Sequence, residues 1–119
     1  MKNLLLILII FTSYNALASK KLITDASMGA DVTSQPISID AKKGYSVQLI
    51  YSGTPNGAFT LEGSVDGSTW ESINGSNITI TASGDSLYNI YNAQYALFRL
   101  VFTRASGTGT LNAYYKLKE

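Results

Sequence analysis

A hydrolase built from this chain would have to draw a catalytic carboxylate pair from Asp31, Asp40, Glu62, Asp66, Glu71 and Asp85. Each of these lies at a turn or on the polar side of an alternating segment, where a solvated carboxylate is the default state. The 119 residues contain no histidine and no cysteine. Ser-His or Cys-His nucleophiles are therefore excluded, as are ordinary zinc and copper sites. Turn carboxylates such as Asp66 and Asp85 are oxygen ligands of the kind calcium takes, but no spaced acidic loop of the EF-hand type accompanies them. The expectation is a chain with no catalytic residues, no metal and no cofactor.

The aromatic side chains are the richer group. Trp70 is joined by Tyr45, Tyr51, Tyr88, Tyr91, Tyr95, Tyr114 and Tyr115. Tyrosine and tryptophan carry an apolar body with a polar tip, which suits sugar faces and protein interfaces. They also favour strands, so packing within a sheet competes with any surface role. Tyr114 and Tyr115 are adjacent and must point to opposite faces of a strand. With Leu111, Ala113, Tyr115 and Leu117 inward, Tyr114 points out. Tyr88, Tyr91 and Tyr95 surround one loop and are read as a second patch. Arg99 interrupts an apolar strand, either buried with a carboxylate partner or exposed at a subunit contact. Trp70, Tyr88, Tyr91, Tyr95, Tyr114 and Arg99 are the candidate ligand or interface residues. Their partner is expected to be a glycan or a protein.

The elements that carry these residues follow a two-residue rhythm broken by glycine-rich turns. Ile37-Ser38-Ile39 reads as a short strand after Pro36. Tyr45, Val47, Leu49 and Tyr51 alternate on one face, and Phe59, Leu61 and Val65 alternate on the next segment. Asp66-Gly67 carries a two-residue hairpin signal into a return strand over 69–73. Asn74-Gly75 turns the chain again before Ile78 and Ile80. Leu87 to Ile90 is short, and Leu97 to Thr103 is apolar on both faces apart from Arg99 and Thr103, which marks a central strand. Gly107-Thr108-Gly109 is read as the last hairpin, leading into 110–117. The fold class is all-β: a single jelly-roll-like sandwich of about eight antiparallel strands, with no helix. Residues 36–119 form the sandwich, and the weakly periodic 19–35 is an N-terminal arm that pairs at an edge, is loosely ordered, or crosses to a second copy to make a homo-oligomer. Lys42, Lys43, Lys116 and Lys118 are placed to guard two sheet edges.

Export is written at the start of the chain. Lys2 precedes the apolar run Leu4 to Phe11, and Ala16-Leu17-Ala18 supplies the small-x-small cleavage pattern. Residues 1–18 are therefore expected to be a signal peptide removed before Ser19, with the mature domain secreted or periplasmic and able to reach the cell surface. The apolar run falls short of the roughly 20 residues of a spanning helix, so no stable membrane span is expected after cleavage. Eight basic and eight acidic side chains remain beyond residue 18, a balance that offers nothing to nucleic acid. Without cysteine the domain must rest on its apolar core. Asn74 and Asn77 begin Asn-x-Ser/Thr sequons, relevant in a glycosylating host.

Phe59 to Ile73, in particular Ser64-Val65-Asp66-Gly67-Ser68-Thr69-Trp70, resembles the strand-turn-strand of discoidin-like (coagulation factor type C) jelly rolls. Tyr95-Ala96-Leu97-Phe98-Arg99-Leu100 resembles their later Tyr-x-Arg-Leu strand. The ending from Phe102 to Ala113 is similar to short β-sandwich proteins of phage particles and bacterial surface fibres. The resemblance covers the C-terminal half and implies fold rather than function. The paired cysteines of discoidin domains are absent, and their ligand loops have no counterpart. Two functional classes stand: an exported adhesion or ligand-binding module, and a structural subunit of a surface fibre or virion. An enzyme with a carboxylate pair is the third and weakest.

Overall fold

The computed structural model describes residues 19–39 and 43–118. The expected signal peptide, Lys42 and Asp40 lie outside these residues. Ten strands run in chain order: β1 (Lys20–Ser27), β2 (Val32–Thr33), β3 (Ile37–Ser38), β4 (Gly44–Gly53), β5 (Asn56–Ser64), β6 (Glu71–Ser72), β7 (Ile78–Ile80), β8 (Gly84–Ile90), β9 (Leu97–Ser106) and β10 (Gly109–Lys118). No helix occurs among the described residues.

The strands form two antiparallel sheets. The first has the order β1-β10-β4-β8; the second has β9 and β5 at its centre, flanked by β2 and β3 on one side and by β6 and β7 on the other. The two flanks are interrupted strands. Ser34 to Pro36 separates β2 from β3, and the 73–77 turn separates β6 from β7. Counting each interrupted flank once leaves eight strands in the connectivity of a jelly roll: successive strands change sheet except β5 and the β6/β7 flank, which pair within the second. The eight strands expected from the sequence are a different set: they count β6 and β7 separately and leave out β1 and β2, which lie in the segment read as an arm.

The core lies between the sheets. Tyr45, Val47, Leu49 and Tyr51 on β4 face Phe98, Leu100 and Phe102 on β9 and Phe59 and Leu61 on β5. Alternation aims these side chains inward, and burying each contributes roughly 1.5–3 kcal/mol. The Tyr45 and Phe98 rings stack 3.9 Å apart at 7°. Phe59 packs between Tyr51 at 5.3 Å and Phe102 at 5.1 Å. β9 is central, as its two apolar faces predict.

Two buried serines close the interruptions. Ser34 Oγ accepts from the Leu100 amide and donates to the Gln35 carbonyl. Ser76 Oγ accepts from the Leu61 amide and donates to the Ile73 carbonyl. Each hydroxyl satisfies strand groups that the broken flank leaves open.

Several expectations are corrected, although residues 19–35 do pair at an edge, as one reading of the arm has it: β1 is the outer strand of the first sheet, paired with β10 of its own chain, and Leu22, Ile23 and Met28 are buried. Its alternation is weak because two register shifts interrupt the β1–β10 ladder. Gly107-Thr108-Gly109 is a corner between sheets, since β9 and β10 belong to different ones. Gly107 has φ +77°, and a Cβ there would strike the Thr54 carbonyl of the neighbouring β4–β5 corner. Val65 is 75% exposed because β5 ends at Ser64. Lys116 and Lys118 lie on β10, which is interior to the sheet as far as Tyr115, where its register with β1 ends; they sit on the short stretch beyond and not on an edge strand.

Candidate functional site

At one end of the sandwich the β5–β6 loop meets the β8–β9 loop. The first is built by Asp66. Its Oδ1 accepts from the amides of Ser68 and Thr69, both at 2.8 Å, and from Ser64 Oγ at 3.2 Å. Those two backbone amides, with the serine hydroxyl, hold the Asp66 carboxyl at a pKa of about 2. Gly67 alone of the expected Asp-Gly pair has positive φ (+80°), so the connection is an Asp-capped loop rather than a two-residue hairpin.

Tyr95 anchors the second loop. Its hydroxyl shares a hydrogen bond with that of buried Tyr45 at 2.9 Å, and the two rings meet edge to face at 6.4 Å. The Tyr95 ring lies where a side chain on residue 63 would stand: a Cβ on Gly63 would come within 2.8 Å of it. Backbone bonds from Ala96 to the Ser64 carbonyl and from Ile39 to the Ala96 carbonyl tie the loop to the second sheet. Burial raises the Tyr45 phenol, and the bond to Tyr95 raises it further. Burial also raises Tyr95.

Between the loops opens a groove of about 690 Å³, within the size range of small-ligand sites. Val65, Ile73 and Tyr95 supply apolar surface; Asp66, Thr69, Glu71, Ser72 and Gln94 supply polar atoms. Its lining includes two carboxylates and no lysine or arginine. Asp66 is committed to its loop and ionised, the opposite of a general acid with a raised pKa. No three His, Cys, Asp or Glu gather as a metal-binding group among the described residues.

The six candidate residues separate. Arg99 Nε donates to Glu62 Oε1 at 2.7 Å, across a registered β5–β9 pair. Its guanidinium carbon lies 4.3 Å from the centroid of the Trp70 ring. Trp70, Arg99 and Glu62 thus form a stack on the outer face of the second sheet; Arg99 has the carboxylate partner of its first reading, but the pair is half-buried, not buried. Tyr88 is 6% exposed and donates to the Ser76 carbonyl at 2.7 Å; it belongs to the core. Tyr91 is 71% exposed, with Lys118 Nζ 5.4 Å from its centroid. Tyr88, Tyr91 and Tyr95 therefore form no common patch. Tyr115 packs edge-on against Phe98, which leaves Tyr114 on the outer face of the first sheet beside Gln48 and Leu87. Of the six, only Tyr95 lines the groove. Sequence reading missed Val65, Ile73 and Gln94, for which no motif exists; Glu71 entered it as a catalytic candidate, and Asp66 as a catalytic or calcium-ligand candidate and a turn residue.

No protein-family model and no curated protein sequence matches the chain. Among solved structures it is similar to the PBSX exported protein XepA, with a TM-score of 0.61 and 15% identity. That alignment covers 85% of this chain and 37% of XepA. PirA aligns at 15% identity over 79% of this chain and 96% of its own, with a TM-score of 0.46. The infectious bursal disease virus Gx strain structure aligns at 15% identity over 84% and 28%, with a TM-score of 0.38. At such identities the XepA likeness is one of fold. No helix among the described residues is long and apolar enough to cross a membrane.

Proposed function

We propose that this chain is an exported, non-catalytic binding module whose end groove takes a neutral sugar. The observation that carries this reading is the groove itself: apolar surface from Val65, Ile73 and Tyr95 beside hydroxyl, amide and carboxylate groups. A sugar ring presents an apolar face and a rim of hydroxyls, and such a mixed lining is complementary to both. Asp66 and Glu71, with no cation beside them in the lining, disfavour phosphorylated or acidic glycans. The discoidin-like resemblance falls on the same strand-loop-strand that walls the groove. The apolar run and Ala16-Leu17-Ala18 support export.

Trp70 is the single tryptophan and sits between Thr69 and Glu71, both in the groove wall. Its emission should shift saturably with a neutral glycan, and Gln94→Ala or Glu71→Ala should weaken that response. A purely structural subunit of a fibre or virion would give no response across a panel of neutral and acidic glycans, and that result overturns the proposal.

A further inference from the structure

The four sheet edges are not equally protected. An unpaired strand edge recruits other strands unless it is short, bulged, charged or interrupted. β1 carries Lys20 and Lys21 and breaks its ladder at two register shifts. Both flanks of the second sheet are interrupted, into pieces of two or three residues. β8 is the least protected: it is neither short, bulged nor interrupted. It pairs with β4 at seven consecutive positions without a shift, and its other side is unpaired among the described residues. It contains no lysine, arginine or proline, and its one charge is Asp85. Leu87, in its middle, is 59% exposed.

We infer that β8 is the pairing edge for a second copy of this chain. The two β8 strands run antiparallel about a twofold axis and join the two first sheets into one continuous sheet. Centred on Leu87, this register sets Leu87 against its own copy and buries its exposed surface. It sets Asp85 of each copy opposite Asn89 of the other, so no like charges meet. Asn89 Oδ1 already accepts from Ser46 Oγ and Lys118 Nζ. That orientation leaves its amide hydrogens to donate to the facing carboxylate. The balanced charge beyond residue 18 opposes self-association little. Since β1 is occupied by β10 of its own chain, the contact needs no exchanged arm. The groove lies against the second sheet, so pairing at β8 leaves it open.

Sedimentation equilibrium of residues 19–119, from micromolar to millimolar concentration, tests this. The wild type should double in mass as concentration rises, with β8 amides gaining hydrogen-exchange protection in step. Leu87→Lys sets like charges face to face at the twofold and should remain monomeric, with an unchanged circular dichroism spectrum. Ile50→Lys, on the same sheet face but on interior β4, should still dimerise. A wild type that stays monomeric, a Leu87→Lys variant that dimerises as before, or a dimer lost in Ile50→Lys overturns the inference. Glycan titration of Leu87→Lys reports separately on the groove and should match the wild type.

Discussion

Gly63→Ala is a substitution whose sign depends on where Tyr95 sits. Gly63 lies inside β5 with ordinary strand backbone. At such a position a methyl group stabilises by about 0.4–1 kcal/mol, by restricting the unfolded chain. Here the new Cβ would stand 2.8 Å from Tyr95 Cδ2 and 2.9 Å from Cγ. Ordinary carbon contacts begin near 3.5 Å, so the ring must retreat by about 0.7 Å. The clash includes Cγ, the root of the ring, so rotation at its far end gives no relief. Retreat stretches the 2.9 Å bond to Tyr45, whose side chain is fully buried. Overpacking costs about 1–3 kcal/mol, and an orphaned buried hydroxyl costs a similar amount. We expect a net loss of about 2 kcal/mol, a drop in melting temperature of about 10 °C for a domain of this size. Urea unfolding of residues 19–119, followed by Trp70 emission and far-UV circular dichroism, measures it. Combined with Tyr45→Phe, the loss should fall short of the sum, because both changes remove the same bond. A neutral or stabilising Gly63→Ala would refute the placement of Tyr95 over residue 63.

Other outcomes follow from the same geometry. Ser76→Ala leaves the Leu61 amide without its partner inside the core and should cost about 1–3 kcal/mol in urea unfolding. Asp66 titrates at about 2 in the folded protein against an ordinary 3.8. Its contribution to stability is therefore present above pH 3.8 and lost as pH falls through about 2. Asp66→Asn keeps an acceptor at Oδ1, so urea midpoints of the variant should vary less with pH over that window than those of the wild type. Arg99→Ala breaks a half-buried pair at the surface and should change stability by about 1 kcal/mol or less. It should still shift Trp70 emission, because the guanidinium leaves the ring face.

The strands that read clearly in the sequence are those whose alternation is uninterrupted. Tyr45 to Tyr51 and Leu97 to Thr103 supply the two central ladders, and their inward residues are the buried ones. β1 was harder to read because its register shifts break the rhythm that reveals a strand. Val65 continues the alternation of Phe59 and Leu61 but lies beyond the last paired residue, where pattern has no meaning. The turn between β9 and β10 looks like a hairpin locally; only the pairing of each strand with distant partners shows it to be a corner. Tyr88 illustrates the limit for sites. Its hydroxyl is satisfied by a carbonyl 12 residues away, which allows a tyrosine to be core instead of surface. The groove joins residues 63–73 to 94–95, two loops with no shared motif; Tyr95, Asp66, Glu71 and the neighbouring Trp70 were each singled out in the sequence, but nothing there brought the two loops together.

Amide chemical-shift mapping of ¹⁵N-labelled residues 19–119 during titration with a neutral glycan addresses the groove most directly. Recognition as proposed gives saturable shifts concentrated at Gly63–Ile73 and Gln94–Tyr95, with β1 and β8 unmoved. An unchanged spectrum at saturating sugar, or shifts confined to the outer face of the first sheet, would contradict it.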